Sequence, residues 1–152
     1  MGAMAEGREI RITEMDLFSG LDHHFLGKIA ESACSEVEYT QGMAIFNAGE
    51  NAKDLFILEQ GVVELTIGDG KTVYSLTDPG EIFGWSSIVE DSLYTATAEA
   101  KTDIQAVKID AAKMNRHLSA NPTNGLTIYR RLASIFHKRL SSMYGKFSMG
   151  GW

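Results

Sequence analysis

The chain has 152 residues, a formal net charge of -6, two prolines and one cysteine. This length suits one domain with a substantial core. No apolar run is long enough for a transmembrane helix, and the N-terminus lacks the basic and apolar segments of a secretory signal. The single cysteine, Cys34, excludes an internal disulfide and a cysteine metal cluster, which favours a reducing cytoplasm. The negative charge argues against general affinity for nucleic acid.

The first predicted element is a short helix near the N-terminus. Residues 1–15 are predicted to be a disordered leader, and residues 16–146 a single domain. Asp22 is a residue that can cap a helix N-terminus. The apolar side chains that follow recur at helical spacing and predict one buried face: Phe25, Leu26, Ile29, Ala30 and Ala33.

A β-rich stretch is predicted over about residues 38–110. Between Val63 and Ile67 apolar and polar residues alternate, as in a half-buried strand. The glycines of Gly68-Asp69-Gly70 tolerate positive φ and predict a hairpin onto Lys71–Leu76. Short strands separated by regular turns predict a jelly roll or a small barrel.

Helices are predicted again over about residues 110–145. Asp110 caps a short helix that ends near Ala120, and Asn121-Pro122 starts a longer one that runs to about Tyr144. The longer helix carries an apolar stripe at spacings of three and four: Tyr129, Leu132, Ala133, Phe136, Leu140 and Met143. Such a stripe is typical of a helix packed on a barrel, and also of a coiled-coil seam between two copies of the chain.

The charge is unevenly distributed along the chain. No acidic residue follows Asp110, whereas seven basic residues do: Lys113, Arg116, Arg130, Arg131, Lys138, Arg139 and Lys146. Two interpretations stay open, a basic helix against an acidic barrel or partner subunit, and contact with nucleic acid or another anionic partner.

Several short motifs carry a resemblance to a known family. In chain order they are Gln41–Phe46 followed by Gly49-Glu50, Phe56–Leu58 with Gly61–Glu64, and Pro79–Gly84 followed by Tyr94–Ala96. The sequence from Leu17 to Met143 resembles the cyclic nucleotide-binding domain family, which includes bacterial catabolite-activator-type regulators and the regulatory subunits of cyclic AMP-dependent kinase. The resemblance implies a mainly β fold with flanking helices, a double-stranded β-helix (jelly roll) followed by a long C-terminal helix.

The same resemblance implies a ligand site in the segment that the family uses as a phosphate-binding cassette. The site residues that it predicts are Phe83, Gly84, Trp85, Ser86, Ser87, Tyr94, Thr95 and Ala96. A short helix opening at Gly84 would present free N–H groups to an anionic or nucleotide-like ligand. Ser86 and Ser87 are expected either to bind a ligand oxygen or only to cap that helix.

Two of these positions depart from the family pattern. Trp85 stands where the family has a glutamate that holds the ribose, and Tyr94 stands where it has an arginine that holds the cyclic phosphate. No arginine lies between Arg11 and Arg116. Losing one partner of a buried charge pair costs about 2–5 kcal/mol, so the sequence predicts weak, altered or absent cyclic nucleotide binding. Trp85 either stacks on a flat ligand ring or fills the empty ribose space.

Three functions follow as hypotheses. The first is a regulatory ligand-sensing module that signals through its C-terminal helix, and the second is a ligand-free dimerisation scaffold with the pocket filled by Trp85 and Tyr94. The third, a cupin-like metalloenzyme, is disfavoured because every histidine lies outside the β region: His23, His24, His117 and His137. We therefore expect no enzyme activity, metal or cofactor, a homodimer through the last helix, and no sequence-specific DNA binding by this chain alone.

Overall fold

The computed structural model of the protein describes residues 15–149. The predicted leader lies outside the described residues except for Met15, which is half-buried and packs against the core beneath the helices. Within residues 15–149, three α-helices flank eight strands, and one short turn of 3₁₀ helix lies among the strands.

The strands form two antiparallel sheets of four strands each. In chain order they are β1 (Cys34–Tyr39), β2 (Ala44–Phe46), β3 (Asp54–Gln60), β4 (Val63–Ile67), β5 (Lys71–Leu76), β6 (Ile82–Phe83), β7 (Thr97–Ala100) and β8 (Ile104–Asp110). The first sheet has the order β1-β8-β3-β6 and the second β2-β7-β4-β5. Apart from the β4–β5 hairpin, neighbours in a sheet are not consecutive in sequence, as in a jelly roll, so the predicted fold class is confirmed.

Strand β3 lies between two hydrophobic cores and is buried on both faces. Leu55 and Ile57 pack on the helical side of the first sheet, whereas Phe56 and Leu58 pack in the interior between the sheets. A strand buried on both faces needs an unbroken apolar run, and Leu55–Leu58 supplies one.

Two of the predicted helix caps, Asp22 and Asp110, are confirmed. Helix α1 (His23–Ala33) begins after Asp22, whose carboxylate accepts a hydrogen bond of 3.0 Å from the N–H of Phe25. All five predicted apolar residues of α1 are buried. Helix α2 (Ala111–Ala120) begins after Asp110, whose carboxylate accepts from the N–H of Lys113 at 3.0 Å. These carboxylates satisfy backbone donors that a helix start otherwise leaves unpaired.

Helix α3 (Pro122–Met149) is the longest element and begins at the predicted proline. It approaches α2 closely at Gly125, where an added Cβ would lie 2.6 Å from the carbonyl oxygen of Leu118. Glycine at this point lets α3 pack onto α2 and the first sheet.

Two boundaries differ from the sequence prediction. Strand β1 begins at Cys34, ahead of the predicted start near residue 38, because the chain passes from α1 into extended backbone without a loop. Helix α3 continues to Met149, beyond the predicted end near Tyr144. The alternation of half-buried and exposed residues from Ser35 to Tyr39 is the signal for the longer β1.

Candidate functional site

Most of the predicted site residues surround one small, partly open cavity. Six of the eight line it together with Phe46 and Leu65: Gly84, Trp85, Ser86, Tyr94, Thr95 and Ala96. The other two do not: Phe83 is fully buried in the interior core, and the hydroxyl of Ser87 donates to the carbonyl oxygen of Gly84 at 2.8 Å. Six of the predicted residues therefore lie side by side, and their role in ligand binding stays a prediction.

The predicted short helix opens at Gly84. Gly84 has a φ of 79°, and one turn of 3₁₀ helix follows at Trp85–Ile88; together they are called the cassette turn below. A Cβ on Gly84 would lie 2.8 Å from the carbonyl oxygen of Asp54, so glycine allows both the left-handed backbone and the close contact with β3. No side chain caps the free N–H groups of the turn, so the expected capping by Ser86 or Ser87 does not occur.

The cavity beside the cassette turn is very small. Its volume is about 30 Å³, which is about the share of liquid volume of a single water molecule. Pockets that hold drug-sized ligands measure about 300–1,000 Å³. In this conformation the cavity therefore has no room for a nucleotide.

Tyr94 closes the cavity on one side. Its side chain is 6% exposed, and its ring stacks on Phe46 with a centroid distance of 3.8 Å. The hydroxyl donates to the carbonyl oxygen of Asp54 at 2.7 Å and accepts from the N–H of Asp54 at 3.1 Å. Burial raises the pKa of Tyr94 although these backbone hydrogen bonds oppose the shift. The hydroxyl is thus neutral at pH 7 and already fully engaged with β3.

Trp85 connects the cavity with helix α3. It lines the cavity and packs against both the interior and the helical core. Its ring meets the edge of Phe136 on α3 at a centroid distance of 5.4 Å and an interplanar angle of 62°. Trp85 therefore bridges the two cores.

Arg139 on α3, predicted from the sequence only as one of the basic residues after Asp110, is buried beside this site. It is 7% exposed, and no other charged residue within residues 15–145, whose burial the structure describes, is as deeply buried. Its guanidinium carbon lies 4.1 Å from the ring centroid of Tyr74 and 4.7 Å from that of Trp85. Nη2 donates to the carbonyl oxygen of Ile82 at 3.2 Å. The available signal was periodicity, since residue 139 follows Ile128, Leu132 and Ile135 at spacings of four, three and four.

Two larger cavities lie outside the predicted site. One, of about 540 Å³, lies between α3 and the edge of the barrel and is lined by Tyr74, Glu81, Ile135 and Arg139 among others. The other, of about 620 Å³, is polar and lies at one end of the barrel, with Lys53, Asp54 and Lys108 in its lining. Tyr94 lines both this polar cavity and the small one.

Two of the basic residues after Asp110 have structural contacts. Arg139 lies 4.0 Å from the carboxylate of Glu81, on the barrel. Nη1 of Arg131 donates to the carbonyl oxygens of Asp16, Leu17 and Ser19 at 3.1, 3.1 and 2.7 Å. These contacts support the interpretation of a basic helix held against the rest of the domain.

Over residues 15–149 no group of three or more His, Cys, Asp or Glu side chains is arranged to hold a metal ion. In the same range no helix is both long enough and apolar enough to span a membrane.

The fold, a jelly roll with a glycine-led turn beside a small cavity and a long C-terminal helix, is that of regulatory nucleotide-sensing domains. A family model described as "cyclic nucleotide-binding domain" matches residues 36–121. A protein of Geobacter metallireducens GS-15, named provisionally for cyclic nucleotide binding, has a solved structure with 30% identity and a TM-score of 0.74, over 86% of this chain and 95% of that one. The chain belongs to the cyclic nucleotide-binding domain family.

Two curated relatives are longer proteins. The cAMP-dependent protein kinase regulatory subunit of Schizosaccharomyces pombe is 28% identical over 110 residues, which are 72% of this chain and 26% of that protein. Glutaminase 2 of Bradyrhizobium diazoefficiens is 27% identical over 140 residues, which are 92% of this chain and 22% of that protein. The chain thus corresponds to about a quarter of each relative.

Proposed function

We propose that this chain is a non-enzymatic cytoplasmic regulatory module whose family pocket is closed, so that cyclic nucleotides bind weakly or not at all and helix α3 carries the output. The observation that supports this most directly is the cavity of about 30 Å³ closed by Tyr94, whose hydroxyl both donates to and accepts from the backbone of Asp54.

Charge adds to the lack of space. A cyclic phosphodiester is an anion, and a buried anion needs a compensating cation. No arginine lies between Arg11 and Arg116, and the buried Arg139 does not line the cavity but binds Ile82 and Glu81. The arrangement favours the ligand-free form of the hypothesis over a sensor with an altered ligand. Tyr94 is the main filling residue, while Trp85 is shared with α3.

The outer face of α3 supports self-association. One stripe of the helix faces the domain and contains Gly125, Ile128, Leu132, Ile135 and Arg139. A second stripe, called the seam below, follows the heptad spacing of a coiled coil: Leu126, Tyr129, Ala133, Phe136, Leu140 and Met143. Phe136 lies at its inner edge, since its ring also contacts Trp85. Within the seam Leu126 is 53% and Leu140 50% exposed. A second copy of the chain, carrying the same stripe, is the partner that such a seam fits.

Calorimetry with cyclic AMP and cyclic GMP tests the closed pocket. We expect no binding by the unchanged chain at micromolar concentrations. The double variant Trp85→Glu with Tyr94→Arg removes the filling ring and restores both polar groups. Its binding should therefore improve by about 30-fold to several thousandfold, the equivalent of about 2–5 kcal/mol for a charge pair.

A matched control separates space from charge in this experiment. Trp85→Glu with Tyr94→Met opens similar space without a guanidinium and should show little of the gain. Tight binding of cyclic AMP by the unchanged chain would contradict the proposed function. A folded double variant without any gain would show that the positions of Trp85 and Tyr94 do not correspond to those of the family's binding groups.

A further inference from the structure

Arg139 occupies a position in α3 where an apolar side chain is expected. It continues the stripe of Ile128, Leu132 and Ile135 that faces the domain, and it is buried to 93% of its surface (7% exposed). Burying a guanidinium is unfavourable unless it is paired and hydrogen-bonded. Burial lowers the pKa of Arg139, and Tyr74 and Glu81 oppose that shift. An arginine in such a place therefore requires a specific set of partners.

These partners form a cage around the guanidinium group. Tyr74 and Trp85 place their rings 4.1 and 4.7 Å from its central carbon, within the range of cation–π attraction. The carboxylate of Glu81 lies 4.0 Å from Nη2. That carboxylate is itself fixed, because it accepts hydrogen bonds from the hydroxyl of Tyr74 and the N–H groups of Thr77 and Asp78 at 3.1, 2.9 and 3.0 Å.

Arg139 contacts the chain both before and after Gly84, the residue at which the cassette turn begins. Nη2 of Arg139 donates to the carbonyl oxygen of Ile82 at 3.2 Å, two residues before Gly84, and the guanidinium contacts the ring of Trp85, one residue after it. Trp85 lines the small cavity. A single side chain on α3 thus holds the backbone before the turn and the aromatic ring within it.

The cage leaves one nitrogen of the guanidinium without a hydrogen-bond partner. Nη1 of Arg139 is buried and has no acceptor within the described part of the chain. An unsatisfied buried donor reduces the net stability of the docked arrangement. The unpaired Nη1 therefore offsets part of the stabilisation that the aromatic rings and Glu81 give to the docked guanidinium.

We propose that Arg139 is a positioning residue that clamps α3 to the cassette turn and keeps the family cavity closed in the absence of a ligand. The inference rests on the closed cavity of the proposed function and names what controls it. Release of Arg139 from its cage frees Trp85 and the turn, so the position of α3 governs access to the cavity.

Hydrogen–deuterium exchange of the full chain tests the clamp. The variant Arg139→Met keeps the length and much of the apolar volume of the side chain but removes the charge and the donor. We expect the amides of residues 82–88 to exchange about tenfold faster than in the unchanged chain, a factor that corresponds to about 1.4 kcal/mol. The amides of β8 serve as the internal reference and should change much less.

Two further variants make the result specific. Arg131→Met removes another α3 arginine, one that binds carbonyl oxygens of Asp16, Leu17 and Ser19, and it should leave exchange in residues 82–88 unchanged. Arg139→Lys keeps the charge but not the planar face, so its effect should be intermediate. It also provides a milder test should Arg139→Met fold poorly.

The outcomes separate the clamp from the closed pocket. Unchanged exchange in residues 82–88 of folded Arg139→Met, or equal acceleration in β8, would overturn the clamp while leaving the calorimetric result intact. Tight binding of cyclic AMP by the unchanged chain would overturn the closed pocket, whatever the exchange data of the Arg139 variants.

Discussion

The backbone of Asp54 holds Tyr94 in place beside the cavity, whereas the half-buried carboxyl group of Asp54 is unfavourable when charged. The peptide N–H and C=O of Asp54 bind the hydroxyl of Tyr94. The carboxyl group is half-buried and makes no hydrogen bond or ion pair within residues 15–149. Burial raises its pKa, Lys108 opposes the shift and Asp110 adds to it. At neutral pH the charged carboxylate therefore disfavours the folded state.

This gives a stability prediction for Asp54→Asn. Because the folded-state pKa is above the unfolded value, the favourable contribution of the protonated group is complete below the unfolded pKa. It is lost as pH rises through the folded one. The variant should thus melt at a higher temperature than the unchanged chain at pH 7, with a difference that shrinks toward acidic pH. Circular dichroism melts across that range check it, and a difference that grows on acidification would contradict it.

The site residues show what a sequence can predict at this scale. Tyr94 and Trp85 were located because they occupy positions in a motif, and both line the cavity. That the hydroxyl of Tyr94 binds Asp54, forty residues away, depends on the packing of β3 against the cassette turn. The cage of Arg139 likewise brings together β5, the loop before β6, the cassette turn and α3. A local sequence pattern cannot predict a contact between such distant segments.

Helix α3 packs one face on the domain and leaves much of the other face exposed. The starts of all three helices were predictable, since a proline is the first residue of α3 and Asp22 and Asp110 cap the other helices through local hydrogen bonds. The end of α3 was not, because the helix continues to Met149. The single stripe predicted from the sequence was incomplete. Leu132 is buried in the helical core, whereas Tyr129 and Leu140 are exposed. The sequence merged residues of two stripes into one because both stripes have the same spacing of three and four residues. Only the packing of the helix on the domain distinguishes them.

The seam predicts a dimer that one charge should break. Leu140 is half exposed and occupies a core position of the heptad pattern, so Leu140→Lys places two like charges at the centre of the proposed interface. We expect the unchanged chain to be a dimer and this variant a monomer by size-exclusion chromatography with light scattering. Ser141→Lys, one residue outside the seam, should remain dimeric. A monomeric unchanged chain would contradict the seam.

At the scale of the whole molecule, the first sheet is shared by both cores, so neither core can be lost alone. Ile57 belongs to the helical core and Leu58 to the interior core, although they are neighbours on β3. Truncating either one, as Ile57→Ala or Leu58→Ala, should cost about 2–5 kcal/mol. Both changes should shift one and the same unfolding transition, since a single domain of this size unfolds cooperatively.

Denaturant titrations followed by two probes check this coupling. Trp85 packs against both cores, so its fluorescence, in a Trp152→Phe background, should change together with the far-ultraviolet circular dichroism in both variants. If Leu58→Ala instead produced a fluorescence transition ahead of the loss of secondary structure, the interior core would be opening by itself. The cassette turn would then be free to open while α3 stays docked, and the rigid link from α3 through Trp85 to the cavity would not hold.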